Sequence, residues 1–580
     1  MQLDPDAMQL DPEQQSAVFS DKEALCIVAG PGAGKTKVLS ARIAHLLSTR
    51  TGLAPRTTAV TFTRKAASEL SQRLQALVGD GSSQVRVGTF HWLALEGLRI
   101  GWGKRARRPP AILSDLMALA SRLRPKVDRP WLSMALDEIS WAQARLIGPD
   151  GYEEAAISNG RPPWGDAKEV AELFWDLSTE KRRRHVLDLG DLIPAYLELL
   201  ESDSELAAAQ RWMAQAVFVD EMQDSNLAQL AVLSAWLDLP ELRAWAQQRA
   251  LPRRAAQAER ALSSGHASHP VVLQEAGLIT QAVAAAGSGQ ASHPVVLQEG
   301  RLLCVVGDPD QAIYSWNGSD PELMRLLPEL IEGMEVVELK ANYRSASEIA
   351  RAASALIGSP GKQSPMKPME TSSPGRAPRS LSDSPVILVS PREDEHDEAL
   401  WVVSQLCEWA SSRTGWQGCA VLARTRQQLG YLARRLDAEG VPWQLKEPSK
   451  DPSKDGSSSQ EDPSDTAVQL ASFHQAKGLE WDAVWLVGLE EGLIPHSNCI
   501  TQAQIEEERR VLYVALTRAR FQVRGSWCKK RTLLNGKVLA CKPSRFLFDL
   551  GLDLDPPQAP RQQAVSGIYW PGGGEVKRNA

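Results

Sequence analysis

Residues 24–47 read ALCIVAGPGAGKTKVLSARIAHLL. The first part, ALCIVAG (24–30), is a short, continuously apolar run of strand character. From Thr36 to Leu47 the apolar residues recur at helical spacing. Between them lies AGPGAGKT (29–36), a glycine-rich turn that leaves a strand and opens a helix. That is the context a phosphate-cradling loop needs. Gly30, Gly32 and Gly34 let the backbone bend so that its N–H groups face phosphate oxygens. Lys35 would direct positive charge at the β- and γ-phosphates, and Thr36 would offer its hydroxyl to Mg²⁺. Ala29, Pro31, Ala33 and Lys37 complete the candidate nucleotide-contacting stretch.

Outward from this unit, similar apolar runs recur in two sets. TTAVTFT (57–63), QVRVGTF (84–90), AVFVDE (216–221) and LLCVVGD (302–308) belong with the first. MEVVELK (334–340), SPVILVS (384–390), CAVLAR (419–424), AVQLAS (467–472) and AVWLVGL (483–489) make the second. Most are continuously apolar, as expected for strands covered on both faces. Helix-period segments such as 65–77 lie between them. The alternation predicts an α/β fold with two parallel-sheet domains. Residues 94–185, with five tryptophans, break the pattern and predict a helical insert. Pro-, Ser- and Gly-rich residues 357–383 and the polar stretch 447–465 (EPSKDPSKDGSSSQEDPSD) read as linkers, and 551–580 as a disordered tail. ASHPVVLQE occurs at 267–275 and 291–299, and MQLDP at 1–5 and 8–12. Two copies are too few for a solenoid. His266, His269 and His293 have no acidic or Cys partners at ligand spacing, so the repeat reads as duplicated surface sequence.

The second chemical signal is VFVDEMQD (217–224). An apolar strand delivers two adjacent carboxylates at its end. Asp220 is suited to hold Mg²⁺ and Glu221 to orient or deprotonate a water. With the phosphate loop, this pair predicts nucleoside triphosphate hydrolysis. Bulk properties set limits on the rest. The 580 residues, 43% hydrophobic and 23% charged, predict a soluble, multidomain chain. No apolar run approaches the ~18 residues of a membrane span. The acidic N-terminus lacks signal-peptide character, which predicts an intracellular protein, nuclear in a eukaryote or cytoplasmic in a bacterium. Seven widely spaced cysteines without a CxxC pair argue against a disulfide framework, a zinc finger or an iron–sulfur cluster. The net charge of −6 argues mildly against a nucleic-acid partner. Local basic runs at Lys104, Arg105, Arg107 and Arg108, and at Lys181 to Arg184, could form a binding stripe or simply a solvated face.

The remaining motifs decide among hydrolases. LDPEQQSAV (10–18), VTFTRKAASEL (60–70), VGTFHWLAL (87–95), VDEMQDSNLAQ (219–229), VVGDPDQAIYSWNGSD (305–320), LKANYRSASEI (339–349), AVLARTRQQ (420–428), ASFHQAKGLEWDAVWLVGLEEGLIPH (471–496) and EEERRVLYVALTRAR (506–520) stand in this order. Together they resemble the UvrD/PcrA/Rep group of superfamily 1 DNA helicases over nearly the whole chain. CKPSRFLFDL (541–550) resembles that group's C-terminal signature. The resemblance implies two RecA-like P-loop domains and a helical insert called 1B. Domain 1A would take residues 1–93 and 186–335, 1B residues 94–185, and domain 2A residues 336–550. It implies ATP and Mg²⁺ as cofactors, with the nucleotide between the two domains, and movement 3′ to 5′ on single-stranded DNA or at single-strand/duplex junctions. DNA repair, recombination control or replication restart would be the setting. Gln14 would read adenine, Tyr343 would stack on it, and Glu480 would hold the ribose. Gln311 would sense the γ-phosphate, and Arg344 and Arg518 would be arginine fingers. Phe62, Tyr314 and Trp316 would stack on bases, while Thr89, His91 and Arg424 would touch the DNA backbone or base stack. For Phe62 core packing is an equally good expectation. Glu508, Arg509 and Arg510 read as a structural ion-pair network.

Three departures stand out. The group usually carries Arg after the tryptophan of its YxWRG motif; here Asn317 follows Trp316, which predicts weaker coupling of DNA to nucleotide. The 82 residues 225–306 far exceed the usual gap, and 240–300 read as a surface insertion. The accessory domain called 2B is replaced by the polar linker, so translocation is better supported than unwinding. Two other readings exist: a nucleotide-gated DNA-binding scaffold, which intact Lys35, Asp220, Glu221, Arg344 and Arg518 oppose, and a small-molecule kinase, which leaves the motifs after residue 339 unexplained.

Overall fold

The structure is a computed structural model that describes residues 8–104, 109–161, 166–250, 294–358, 386–412, 415–446, 466–532 and 536–551. Most of the two expected linkers, the tail, three of the basic residues at 104–108, the three repeat histidines and the first ASHPVVLQE copy lie outside the described residues. The chain divides into two compact units. One comprises residues 1–29 and 35–339; the other comprises 340–580 and the turn 30–34.

The first unit is built on six strands: β1 (Ala24–Ala29), β2 (Thr57–Val60), β3 (Arg86–Gly88), β4 (Ala216–Val219), β5 (Leu302–Gly307) and β6 (Glu335–Leu339). They lie in the order β3-β2-β4-β5-β1-β6, every neighbouring pair parallel. Strand β6 corrects the sequence reading. MEVVELK was grouped with the second set, but Val336 sits in register with Cys26 on β1. The boundary between units therefore falls after Leu339. A parallel sheet needs helical cover on both faces, and the core shows it. Nearly every side chain of the helix Leu227–Leu237 is buried. At its end Trp236 is fully buried, its ring 5.9 Å from Phe90, and its indole N–H donates to the Tyr196 hydroxyl at 2.9 Å. Full burial of such a side chain stabilises by about 3 kcal/mol.

The helix Phe90–Lys104 packs into this same core through Phe90, Leu93, Ala94 and Leu98. The insert proper starts after it. Its helices Leu116–Leu123, Arg129–Ala144, Pro149–Ser158 and Ala167–Arg184 enclose a core of their own. Entry and exit are tied where Ala111–Ile112 pairs with Val186–Leu187. The basic run 181–184 is largely committed to the fold. Lys181 is buried and donates to Asp188 and Asp191, both at 2.7 Å, while Arg183 and Arg184 pair with Glu180. Both ends of the expected surface insertion are core: Leu239, Leu242, Ala246, Val295 and Leu297 are buried. Its middle, 251–293, lies outside the described residues.

The second unit holds six further parallel strands: β7 (Ile387–Arg392), β8 (Cys419–Ala423), β9 (Trp443–Leu445), β10 (Val468–Ser472), β11 (Trp481–Val487) and β12 (Ala519–Cys528). Their order is β9-β10-β8-β11-β12-β7. Trp409 and Trp485 meet edge to face in its core, 6.1 Å apart. Buried Arg531 bridges two buried carboxylates, Glu398 and Glu490. Among the described residues no helix is long and apolar enough to cross a membrane.

Candidate ATP and DNA sites

In an all-parallel sheet every strand ends on the same edge, and that edge is where such folds bind ligands. The first unit places most of its predicted residues there. Strand β1 runs into the glycine turn and Lys35; β2 into Phe62; β3 into Thr89 and His91; β4 into Asp220 and Glu221; β5 into Gln311, Tyr314 and Trp316.

The turn has the backbone its glycines allow. Gly32 and Gly34 have φ of 76° and 82°, a region that side-chain-bearing residues disfavour. Lys35 opens the helix Lys35–Thr49, and its ammonium donates to the Ala29 carbonyl at 3.0 Å. It also faces two buried acids. Burial and the adjoining Glu221 raise the Asp220 carboxyl well above the usual carboxylate range, with Lys35 opposing. Burial likewise raises Asp308, again against Lys35. A crowded acidic pair of this kind suits a divalent cation, since Mg²⁺ is usually held by one or two carboxylates plus phosphate oxygens. Asp220 and the Thr36 hydroxyl fit that donor set. Among the described residues no group of three or more His, Cys, Asp or Glu forms a metal cluster.

Glu221 sits in a left-handed turn, φ 51°. Its carboxylate accepts from the Gln223 amide at 2.5 Å. The Gln223 carbonyl in turn accepts from the Asp308 backbone N–H at 3.0 Å, and the Asp308 carboxylate accepts from the Gln311 amide at 2.7 Å. Gln223 is fully buried, and a Cβ on Gly307 would lie 2.2 Å from its oxygen, so Gly307 leaves the space this bond needs. Glu221 is thereby joined to Gln311 through Gln223 and Asp308. Sequence reasoning did not single out those two, although both stand inside quoted motifs. Gln14 is buried, and its side-chain oxygen accepts from the Asp11 N–H in a capping box. Lys37 donates to the Gln9 carbonyl at 2.8 Å.

The aromatic residues gather. Phe62 and Tyr314 stack at 5.2 Å with planes 18° apart, and Trp316 meets Tyr314 edge-on at 6.4 Å. Phe62 is 40% exposed and Trp316 47%, which decides Phe62 against core packing. The neighbouring Trp92, not singled out in the sequence, is also exposed. Thr89 caps the following helix, its hydroxyl accepting from the Trp92 N–H at 3.2 Å. Burial pushes the His91 imidazole down to about 4, so it is neutral at physiological pH. A cavity of ≈150 Å³ is lined by Phe62, Thr89, His91 and Tyr314 and equally by Asp220 and Glu221. Phe62 and Tyr314 thus share one cavity with Asp220 and Glu221.

The second unit splits its predicted residues between two sheet edges. Glu480 and Arg518 precede β11 and β12, whereas Arg424 follows β8. Arg344 pairs with Glu480 at 2.7 Å, and Arg520 holds the same carboxylate. Burial pushes the Glu480 carboxyl up, but the two guanidiniums outweigh it and hold it below the usual range. Gly32, grouped with this unit, accepts from the Tyr343 N–H at 2.9 Å, and the Tyr343 ring is exposed. A Cβ on Gly32 would lie 2.6 Å from that of Arg344, so only glycine fits there. Arg518, expected as a finger, is buried and donates to the carbonyls of Val514 (3.0 Å) and Leu479 (3.2 Å). Arg424 makes a bidentate pair with buried Glu508, whose carboxylate also accepts the His496 N–H. Arg509 pairs with Glu506 and Asp549.

Comparison with known proteins adds a second line. The family described as UvrD/REP helicase N-terminal domain matches residues 10–238 and 290–331, skipping the insertion. The UvrD-like helicase C-terminal domain matches 337–450 and 453–530. The chain is 29% identical to "ATP-dependent DNA helicase UvrD2" of Mycobacterium tuberculosis (strain ATCC 25618 / H37Rv), covering 94% of this chain and 82% of that one. It is 24% identical to "ATP-dependent DNA helicase Rep" of Salmonella typhimurium, covering 94% of each. It is 26% identical to "ATP-dependent DNA helicase PcrA" of Leuconostoc citreum, covering 75% of this chain and 49% of that one.

Proposed function

This chain belongs to the UvrD/Rep-type family of ATP-dependent DNA helicases, and we propose that ATP hydrolysis drives it 3′ to 5′ along single-stranded DNA. The observation that carries the coupling is the chain of hydrogen bonds from Glu221 through Gln223 and Asp308 to Gln311. Three residues beyond Gln311 stands Tyr314, and then Trp316. One short segment therefore answers both to the hydrolytic carboxylate and to stacked bases. Lys35 would neutralise phosphate charge, and Asp220 with Thr36 would hold Mg²⁺, which would supply further neutralising charge to the phosphates. Glu221 would take the proton of the attacking water. Phe62, Tyr314 and Trp316 would stack on bases without regard to sequence. The direction and the setting in repair, recombination or replication restart rest on family resemblance. So do the junction substrates and the adenine and ribose roles of Gln14, Tyr343 and Glu480.

The first test is ATP turnover with and without oligo(dT), at fixed Mg²⁺ and low salt because DNA binding is salt-sensitive. Strong stimulation is expected in the wild type. In Trp316→Ala the half-saturating oligo(dT) concentration should rise about 10-fold, within the ~1–3 kcal/mol that one stacked base contributes. Basal and stimulated rates falling in step would assign Trp316 to folding instead. Glu221→Gln should retain ATP binding, measured with a fluorescent analogue, and lose turnover by about 10²-fold, the scale of a general base. Near-normal turnover in that variant would remove Glu221 from the hydrolytic role.

A further inference from the structure

Position 317 carries Asn where the family's motif has arginine, so the aromatic turn lacks a cation of its own at that point. The structure brings one from elsewhere. Arg161 lies within the helical insert, just after the helix Pro149–Ser158. Its guanidinium makes a forked pair with Glu138, Nε at 3.0 Å and Nη2 at 2.7 Å. It also lies 4.5 Å from the centre of the Trp141 ring. Glu138 is itself buried and accepts from the fully buried Tyr152 hydroxyl at 3.1 Å. A guanidinium fixed by a carboxylate fork and an aromatic face has few rotamers left. Its Nη2 donates to the Trp316 carbonyl at 3.3 Å.

The same turn rests on the insert a second time. Gly318 has φ of 88°, and a Cβ there would lie 2.5 Å from the Ala144 side chain and 3.2 Å from the Trp141 carbonyl. The turn thus lies directly against the C-terminal end of the helix Arg129–Ala144. Within the turn the Asn317 and Ser319 N–H groups reach the Tyr314 carbonyl at 2.9 and 3.3 Å, and the Gly318 N–H the Ser315 carbonyl at 3.1 Å.

We propose that Arg161 is a positioning residue for single-stranded DNA: anchored by Glu138, it holds the Trp316 carbonyl and so fixes the turn that presents Tyr314 and Trp316. The helical insert then does from behind the turn part of what an arginine at 317 would do from within it. This rests on the DNA-binding reading given above.

The test uses the full-length protein with Arg161→Ala, Arg161→Lys and Glu138→Gln, and oligo(dT) as the probe. Three quantities are measured: amide hydrogen exchange over 314–320 without DNA, oligo(dT) affinity by fluorescence anisotropy, and basal ATP turnover. Arg161→Ala should speed exchange at the Asn317 and Gly318 amides and weaken oligo(dT) binding by roughly 10-fold, the scale of one hydrogen bond to a charged group. Basal turnover should hold. Arg161→Lys should recover part of the affinity, because it keeps the charge but not the fork. Glu138→Gln, which preserves shape, should show the same changes more weakly and covers the case in which Arg161→Ala does not fold. Unchanged exchange over 314–320 would overturn the proposal, as would faster exchange with unaltered affinity or a parallel loss of basal turnover. A wild-type protein that binds no oligo(dT) would overturn the helicase reading itself, and the DNA role of Arg161 with it.

Discussion

Lys35→Ala should abolish ATP turnover, a loss of more than about 10³-fold, and the reason extends beyond the missing phosphate anchor. Transferring a phosphoryl group is mainly a matter of placing positive charge where negative charge accumulates. Lys35 opens the helix that the glycine turn feeds, and in the proposed role its ammonium would meet a phosphate held by the backbone N–H groups there. It is also the cation opposing the raised Asp220 and Asp308 carboxyls. Without it both acids move further toward their neutral forms, and a neutral Asp220 is a poor ligand for Mg²⁺. Two defects therefore combine, weaker phosphate binding and weaker metal binding. A thermal melt separates them from simple unfolding. The variant should melt cooperatively and remain inactive at every Mg²⁺ concentration. Turnover above about a hundredth of the wild-type rate would show that the phosphate charge is met by another group.

Much of the first unit's site could be read from the sequence because the chemistry sits at strand ends. A parallel strand reads as an apolar run, and whatever follows it lies on the ligand-binding edge. VFVDE therefore marked both the strand and the place of Asp220, whereas Gln311, three residues beyond the strand run LLCVVGD, was named only through the family resemblance. MEVVELK was assigned to the wrong set because an apolar run carries no mark of which sheet it joins; only the pairing of Val336 with Cys26 decides that. Arg518 shows a different limit. Its motif predicts an arginine reaching for phosphate, but side-chain direction depends on the packing of 514–517 and 479, and there its guanidinium meets carbonyls. The contact of Arg161 with Trp316 spans 155 residues of sequence, and no local pattern encodes it. Gln223 and Asp308 were within view, but an amide and an acid inside a motif look alike whether they face solvent or each other. Only the folded chain shows that both are buried and hydrogen-bonded to each other.

Arg344→Ala should lower the turnover number by about 10³-fold or more, as loss of an arginine finger does, while ATP affinity changes far less. Of the two arginines the family resemblance assigns as fingers, Arg344 is the one proposed here to carry the role. Arg518 donates to the Val514 and Leu479 carbonyls, whereas Arg344 pairs with a side chain, Glu480, whose carboxylate Arg520 also engages. A carboxylate shared between two guanidiniums can release one and keep its charge compensated by the other. Arg344 could then turn to a phosphoryl group at modest cost, and Glu480 would still have a partner. Its backbone lies close to Gly32 within the same unit. The kinetic signature follows from when the contact forms. An interaction made only in the transition state lowers kcat and kcat/KM equally and leaves KM nearly unchanged. Single-turnover measurements on Arg344→Ala should therefore show a slow chemical step after normal ATP binding. If instead KM rises with kcat preserved, Arg344 contributes ground-state binding and the finger role passes from it. If neither moves, its pairing with Glu480 is structural, and Arg518 would need to leave its carbonyl cage for the site to be completed.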